Sequence, residues 1–416
     1  TEHFISMGII IDALYLTFAA ISLFFSIMFF VLYFDNKEKL FKVPKIKKFP
    51  SITILIPAYN EEETIEETMK KVKEMEYPKE IEIIVINDGS TDNTSKIAKS
   101  VAKKYKKVKV IDKPNGGKAS ALNVGLKYAK GEIVGVVDAD SYPTKNALMN
   151  SIPFFSEKDV GAVTTSIFVK SPKNWIERLQ RIEYIMIVWA RKLLECIDSV
   201  YVTPGVLSLY RRSALKKVGG FDEKNMTEDI EIAWRLLYNG YNIKMSLGAE
   251  SETKVPNNFK SWWKQRIRWN IGGMQTWFKY LHTFLKKDFR SLGMFILPFF
   301  TFSYIISLLG LCLLVFVFGR AIYNYITFNW GVYSLGGSPS INFSLTYLPD
   351  MFTIFGITIF IISLIWVNIS FKTVKKRIGW PKGILDLILY LTIYITIFPF
   401  NLVHSSIKFL RGKYEW

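Results

Sequence analysis

Residues 51–63 read SITILIPAYNEEE. A run of β-branched and aliphatic residues closes on a proline, then on a ring, an amide and three carboxylates. That order describes a strand carrying polar groups to one edge of a sheet. It recurs downstream: Ile81–Ile86 runs into NDGSTD, Val108–Ile111 into KPNGGKAS and Ile133–Val137 into DADS. Segments of helical period, Glu61–Met75, Thr94–Tyr105 and Ala119–Ala129, separate the strands. The alternation predicts an α/β fold, a Rossmann-like parallel sheet covered on both faces. In such sheets ligands sit beyond the carboxyl ends of the strands, where all four clusters lie.

Outward from this region the chain turns apolar. Gly8–Phe34 carries one charge, Asp12; Leu292–Phe318 and Met351–Phe371 carry none; Ile384–Leu402 carries only Asp386. A membrane-crossing helix needs roughly 20 apolar residues. The 416 residues therefore divide into an N-terminal anchor and basic linker (1–48), a cytoplasmic domain (49–285) and C-terminal membrane helices (286–416, with spans near 291–318, 351–371 and 384–402). The first run lacks a basic leader and reads as a retained anchor, not a cleaved signal. Asp12 and Asp386 are candidates for function because charge in or beside a span is costly; Asp386 is equally placed to face cytoplasmic water.

Lys and Arg number 54 against 36 Asp and Glu, a net charge of +18. In a soluble chain that excess would suggest nucleic acid. Here it flanks the apolar runs: Lys37 to Lys48, Lys286 to Arg290 and Lys372 to Lys382 are rich in it, and 321–349 has none. It therefore reads as topology and attraction to a lipid bilayer, with no nucleic-acid partner. The N-terminus and 321–349 lie outside the cell membrane, and the domain lies inside. The fourth run resists this scheme. Alternation puts the tail outside, whereas Lys408, Arg411 and Lys413 favour the inside, and Pro399 offers a break into a re-entrant form. Cys196 and Cys312 fall in different compartments, so neither a disulfide nor a cysteine metal site is expected.

Two helices of interfacial character border the domain. Asn174–Ile197 sets Trp175, Leu179, Ile182, Met186 and Trp189 near one face, which suits a helix lying flat on a membrane or a partly buried domain helix. The second, at 259–282, contains WWKQRIRW at 262–269. Trp262 and Trp263 suit anchors at headgroup level. Trp269 offers a flat face to a sugar and Arg268 a planar fork to phosphate oxygens.

The strand-end residues each have two readings. Asp138 and Asp140 can bind a hard divalent cation or merely form a turn. Asp88 can accept the imide N–H of uracil, or shape a turn in which Thr91 or Asp92 caps the next helix. Tyr59 can stack on a base. Lys118, at a Gly-rich helix start, suits phosphate. In Thr227-Glu228-Asp229, Thr227 can cap a helix whose first turn is acidic, or a carboxylate can take a proton from a hydroxyl.

Taken in order, PAYNEE, Asp88, DAD, TED and the Q-x-x-R-W of Gln265–Trp269 resemble the processive, membrane-embedded glycosyltransferases of family 2: the cellulose, chitin, hyaluronan and poly-N-acetylglucosamine synthases. The likeness covers residues 50–270, and PGVLSLYRRSALKKVGGF at 204–221 is most similar to the poly-N-acetylglucosamine type. The resemblance implies a nucleotide-sugar domain of GT-A type. It implies that Tyr59, Glu61, Asp88, Lys118 and Asp138 bind nucleotide and that Asp140 holds Mg2+ or Mn2+. Asp229 would be the general base, and Glu228, Gln265, Arg268 and Trp269 would meet acceptor sugar and donor diphosphate. The implied enzyme adds sugar from a UDP-sugar, UDP-N-acetylglucosamine foremost, to a growing β-linked polysaccharide with inversion, and exports the chain. Single transfer to a lipid-linked acceptor, polyprenyl phosphate or glycolipid, stays open, as does a non-catalytic membrane scaffold. Four spans are few for this family, so a complete channel would call for a second copy or an accessory subunit. The tail ends in GKYEW (412–416) where the family pattern leads to an expectation of further basic residues. His3, His282 and His404 are too scattered for a metal site.

Overall fold

The computed structural model describes residues 2–338, 351–376 and 382–412. The side chains of His3 and Asp12, residue Lys413 and the 339–349 part of the connection between the second and third runs lie outside the described residues. The strands are β1 Ile52–Ala58, β2 Glu82–Asp88, β3 Val108–Lys113, β4 Ile133–Val136, β5 Ser141–Pro143, β6 Val160–Val169, β7 Ser208–Arg211 and β8 Asn242–Thr253. They form one sheet in the order β3-β2-β1-β4-β7-β6-β8-β5. The helices of the domain are preceded by α1 Glu2–Asn36; they are α2 Ile65–Lys73, α3 Thr94–Ala102, α4 Lys118–Tyr128, α5 Ala147–Ser151, α6 Trp175–Glu195, α7 Arg212–Lys217, α8 Glu228–Tyr238 and α9 Phe259–Tyr280. Beyond them come α10 Leu297–Ser334, α11 Met351–Thr373, α12 Lys382–Leu389 and α13 Ile395–Leu410.

Strand order decides where a ligand can sit. β1 pairs in parallel with β2 on one side and β4 on the other. The chain winds outward through β1, β2 and β3, then returns to lay β4 beside β1. The crevice at the carboxyl ends of β1 and β4 is thus the switch point of the sheet, flanked by PAYNEE and DADS. Beyond β4 the pairing turns mixed: β7 runs antiparallel to β4 and β6, and β8 runs parallel to β6. The sequence reading did not resolve this second half.

Burial explains the strand compositions. Every residue of β1 is buried, as a parallel strand covered on both faces requires, and Ile54, Leu55 and Ile56 are fully enclosed. Each such side chain contributes about 1.5–3 kcal/mol by leaving water. β3, at the edge, is nowhere fully buried and exposes Lys109 and Asp112, which is why those charges are tolerated there.

Four helical stretches are long and apolar enough to cross a membrane: Ala13–Asn36, Leu292–Ser334, Ile354–Thr373 and Gly383–Leu410. The second includes a π-turn at Leu292–Ile296 and continues well past Phe318. The last also carries a π-turn, Tyr390–Tyr394, and runs on through Pro399 inside α13. It is one helical stretch and not the broken form that Pro399 offered; the wide turn just upstream is where the helix adjusts its winding.

α9 is the spine between domain and membrane helices. One face binds the domain: Gln275 accepts from the Met226 N–H, Thr276 accepts from Asn225, and Lys279 pairs with Asp222 and Glu231. The opposite face holds α13 and the Tyr394 turn before it, while α12 lies on α6. Trp262 donates to the Tyr394 hydroxyl at 2.6 Å, Trp263 to His404 Nδ1 at 3.1 Å, and Asn270 to Asn401 Oδ1 at 3.0 Å. Phe278 stacks on Phe409. This corrects the anchor reading of the two tryptophans: Trp262 is 1% exposed and both indole N–H groups are spent on the last helix, not on headgroups. Asp386 does not face water either. It is buried and takes both ends of the Arg178 fork, at 2.8 and 3.1 Å. On α6, Trp175 points outward at 52% exposed, while Ile176, Leu179, Ile182 and Trp189 are buried against the membrane helices.

Candidate active site

The end of β4, the 203–205 loop and the start of α8 are knitted through the backbone. Asp138 N–H donates to Gly205 C=O at 2.8 Å, and the Thr203 N–H and hydroxyl both donate to the Asp229 carbonyl, at 3.2 and 3.0 Å. Gly205 leaves room for the site's charges: a Cβ there would lie 2.5 Å from both Asp138 Oδ1 and Lys118 Nζ and would push them aside. Gly272 of α9 likewise leaves room for Thr227, since a Cβ would lie 2.1 Å from the Thr227 hydroxyl. These two close approaches bring the Q-x-x-R-W helix onto the TED segment and the TED segment onto the strand ends.

They enclose a cavity of about 320 Å³ lined by Lys118, Asp138, Asp140, Glu228, Asp229, Gln265, Arg268 and Trp269, together with Tyr184 and Arg191 of α6. A second, more polar cavity of about 300 Å³ holds Glu61 and shares Asp140 and Lys254 with the first. The residues named here come from seven separate segments of chain. Tyr59 and Asp88 line neither cavity. Tyr59 is half exposed at the end of β1. Asp88 is buried and accepts from Lys113 Nζ at 2.5 Å, Gly116 N–H at 3.1 Å and Gly117 N–H at 2.8 Å. It thereby sets the loop that starts α4 and carries Lys118.

Charge in the cavity is arranged around Lys118, whose ammonium lies 2.7 Å from Asp138 and 2.9 Å from Glu228. Burial would lower its pKa, but the carboxylates Asp138, Glu228 and Asp229 outweigh burial and raise it. Burial pushes Glu228 up as well, yet the Lys118 charge holds it below the usual carboxylate range. Among the described residues Asp229 has no ion pair of its own. Burial, then the Glu228 charge, raise it to about 6 against the opposing Lys118 and Arg268. Asp140 rises further, to about 7, through burial and the Asp138 and Glu61 carboxylates. Glu61 is raised by burial, which outweighs the hydrogen bond it accepts from Thr64.

Thr227 does not cap α8: its hydroxyl lies 3.3 Å from Asn225 Oδ1, and no side chain caps that helix. The Asp92 carboxylate does shape the next helix start, accepting from Thr94 N–H at 2.9 Å. At the acceptor end, Arg268 donates to the Met226 carbonyl at 3.2 Å, and the Oε1 of Gln265 is buried in the cavity wall without a donor among the described residues. Trp269 is backed by the Arg266 guanidinium, 4.0 Å from its ring centroid. Arg266 is fixed in turn by Glu183 at 2.5 Å.

The sequence reading missed Tyr184 and Arg191. They lie seven positions apart, with Ile187 and Val188 between them on the same cavity-lining face. That i, i+3, i+4, i+7 spacing was the available signal, but it interleaves with the apolar face that packs on the membrane helices.

No three His, Cys, Asp or Glu side chains converge as a metal cage among the described residues. Two hard carboxylates crowded by a third still fit a cation that takes one or two protein oxygens and leaves the rest to phosphate and water.

With this geometry in place, the comparisons are informative. The solved mannosyltransferase PcManGT from Pyrobaculum calidifontis, in complex with GDP-Man and Mn2+, superposes with a TM-score of 0.62, covering 97% of this chain and 100% of that one at 20% identity. The fold is that of the GT-A glycosyltransferases. Glycosyl transferase family 2 matches residues 53–219. Poly-beta-1,6-N-acetyl-D-glucosamine synthase of Staphylococcus epidermidis is 33% identical over 337 residues, 76% of this chain and 78% of that protein. The enzyme of the same name from Staphylococcus aureus (strain COL) is 35% identical over 248 residues, 59% of this chain and 58% of that protein. The chain belongs to glycosyltransferase family 2, as a membrane-embedded member.

Proposed function

We propose that the chain is an inverting polysaccharide synthase that transfers sugar from a UDP-sugar, UDP-N-acetylglucosamine foremost, to the terminal hydroxyl of a growing β-linked chain and passes that chain through the membrane. The observation that carries this is the convergence on one cavity of the donor-type groups Lys118, Asp138 and Asp140 with the carboxylate Asp229, which has no ion pair among the described residues, and an aromatic platform, Trp269. The relatives named above support the choice of sugar.

In this reading uracil lies by Tyr59 and Asp88. Three of the roughly four acceptor positions of the Asp88 carboxylate are used in holding its loop, leaving one for an imide N–H. Lys118 and Arg268 face the diphosphate, and Glu228 keeps Lys118 charged and placed. Asp138 and Asp140 would hold Mg2+ or Mn2+, which when bound supplies charge neutralisation for the departing UDP. Trp269 and Gln265 orient the acceptor sugar. Asp229, raised to about 6, is ionised near neutral pH and basic enough to take the acceptor hydroxyl proton as that oxygen attacks the anomeric carbon from the face opposite UDP. Arg268 meets the charge developing on the leaving group in a site that is already organised.

For topology, the domain is placed on the cytoplasmic side. α13 follows α9 from the Tyr394 turn to Phe409, which supports a last helix whose end, with Lys408 and Arg411, stays on the side of the domain. Its outward Ile384, Leu385, Phe398 and Leu410 are exposed and would meet lipid. A reporter fused after Trp416 is expected on the same side as the domain.

The experiment that tests the function incubates the purified chain in lipid nanodiscs with each UDP-sugar plus Mg2+ or Mn2+ and sizes the product. Polymer from UDP-N-acetylglucosamine supports the proposal. A single lipid-linked sugar would replace it by the single-transfer reading, and no UDP release from any donor would defeat both.

A further inference from the structure

Three Lys or Arg side chains are buried among the described residues: Arg191, Lys192 and Arg266. Two have ionic partners. Lys192 is spent on Glu195 and on the Met245 carbonyl, and Arg266 on Glu183. Arg191 is the exception. It is 5% exposed, and its Nε and Nη1 are enclosed and donate to no acceptor among the described residues. It lines the same cavity as Asp229 and Trp269. A guanidinium stays protonated at any pH a protein survives, and burying it unpaired costs several kcal/mol. Burial dominates its electrostatics, relieved by Tyr201, Asp229 and Tyr184 but with no ion pair. A rigid fork held dry at a cavity wall is matched by one chemical class, an oxyanion that accepts two parallel N–H bonds.

We propose that Arg191 is a substrate-binding residue of this chain that receives a phosphate oxygen in the cavity. The assignment rests on the UDP-sugar reading above and deepens it. The phosphate has two candidate sources, the diphosphate of the donor and a phosphate ester on a lipid acceptor. Because α6 lies between the cavity and the membrane helices through Trp189 and Phe29, either source can reach it: one from the strand ends, the other from the bilayer. In neither case does a bond form or break at Arg191. It binds and orients.

The test uses the full chain in nanodiscs, unmodified and as Arg191→Gln and Arg191→Met. UDP affinity is measured by calorimetry with Mg2+, polyprenyl phosphate affinity in nanodiscs doped with that lipid, and KM and kcat for UDP-N-acetylglucosamine in parallel. Loss of a charge-assisted bond predicts an affinity about tenfold weaker or more for the phosphate that Arg191 meets. Weaker UDP binding with a higher donor KM assigns the donor diphosphate. Unchanged UDP binding with weaker polyprenyl phosphate binding assigns an acceptor phosphate. If both variants fold and bind both anions as the unmodified chain does, Arg191 is a structural cation and the inference fails. Should both misfold, Arg191→Lys carries the test, because a point charge cannot replace the fork; severalfold weaker binding of either anion is expected, and unchanged binding of both overturns the assignment. An unmodified chain that binds no UDP would instead defeat the UDP-sugar reading, so the two failures are told apart.

Discussion

The donor half and the acceptor half of the cavity are made of different material. The donor half is a set of residues at or shortly beyond the ends of the parallel strands, held by backbone bonds such as Asp138 N–H to Gly205 C=O. The acceptor half is three helices, α6, α8 and α9; Arg178–Asp386 ties α6 and Trp262–Tyr394 ties α9 to the membrane helices, and Glu183–Arg266 ties α6 to α9. The first is rigid because a sheet is rigid. The second can be no more fixed than the helices it leans on. For the proposed export of the product, that asymmetry would set a donor pocket that resets identically each cycle beside an acceptor wall coupled to the membrane helices.

The comparison predicts separable defects. Apart from loss of the base itself, the largest is expected on the donor side. Removing divalent metal with EDTA, or replacing Asp140 by Asn, should cut turnover on the order of 10²–10³-fold and weaken UDP binding, with recovery on adding Mg2+ or Mn2+ to the unmodified chain. UDP binding that ignores EDTA would break the assignment of Asp138 and Asp140. Trp269→Leu should instead act on the acceptor side. The acceptor KM should rise about tenfold, the order expected for a lost ring face, with UDP affinity unchanged; a matching loss of UDP affinity would merge the two halves.

A pH profile adds a third distinction. A carboxyl raised to about 6 is a base only when ionised. Turnover at saturating substrate should therefore be level above that pH and fall about tenfold per unit below it. The smallest effect belongs to the membrane coupling. Asp386→Asn leaves Arg178, itself one-third exposed, without its carboxylate, and should lower stability by about 1–3 kcal/mol, read as a lower melting temperature in detergent with UDP affinity unchanged.

The two halves also differ in how far the sequence discloses them. Asp88, Lys118, Asp138 and Asp140 follow strands in chain order, and the period of the sheet fixes their side, so their place at one edge could be read directly. Which of them pair could not: Asp88 meets Lys113 across 25 residues because β2 and β3 happen to be neighbours. On the helices the limit is sharper. WWKQRIRW can put its rings toward headgroups or toward another helix, and composition is the same in both cases; only the Tyr394 and His404 partners, more than a hundred residues on, decide it. Thr227 looks like a cap by type, yet its hydroxyl turns to Asn225, on the side where α9 passes closely at Gly272. Arg191 reads as one more charge on an amphipathic helix, and its burial is a property of the assembled cavity.

The claim on which all of this depends is that Asp229 takes the proton where the two halves meet. The measurement that tests it most directly is a paired one on Asp229→Asn: UDP affinity by calorimetry and UDP release at saturating donor and acceptor. The prediction is UDP affinity within about threefold of the unmodified chain and turnover lower by about 10²–10⁴. Turnover that survives the substitution would contradict it.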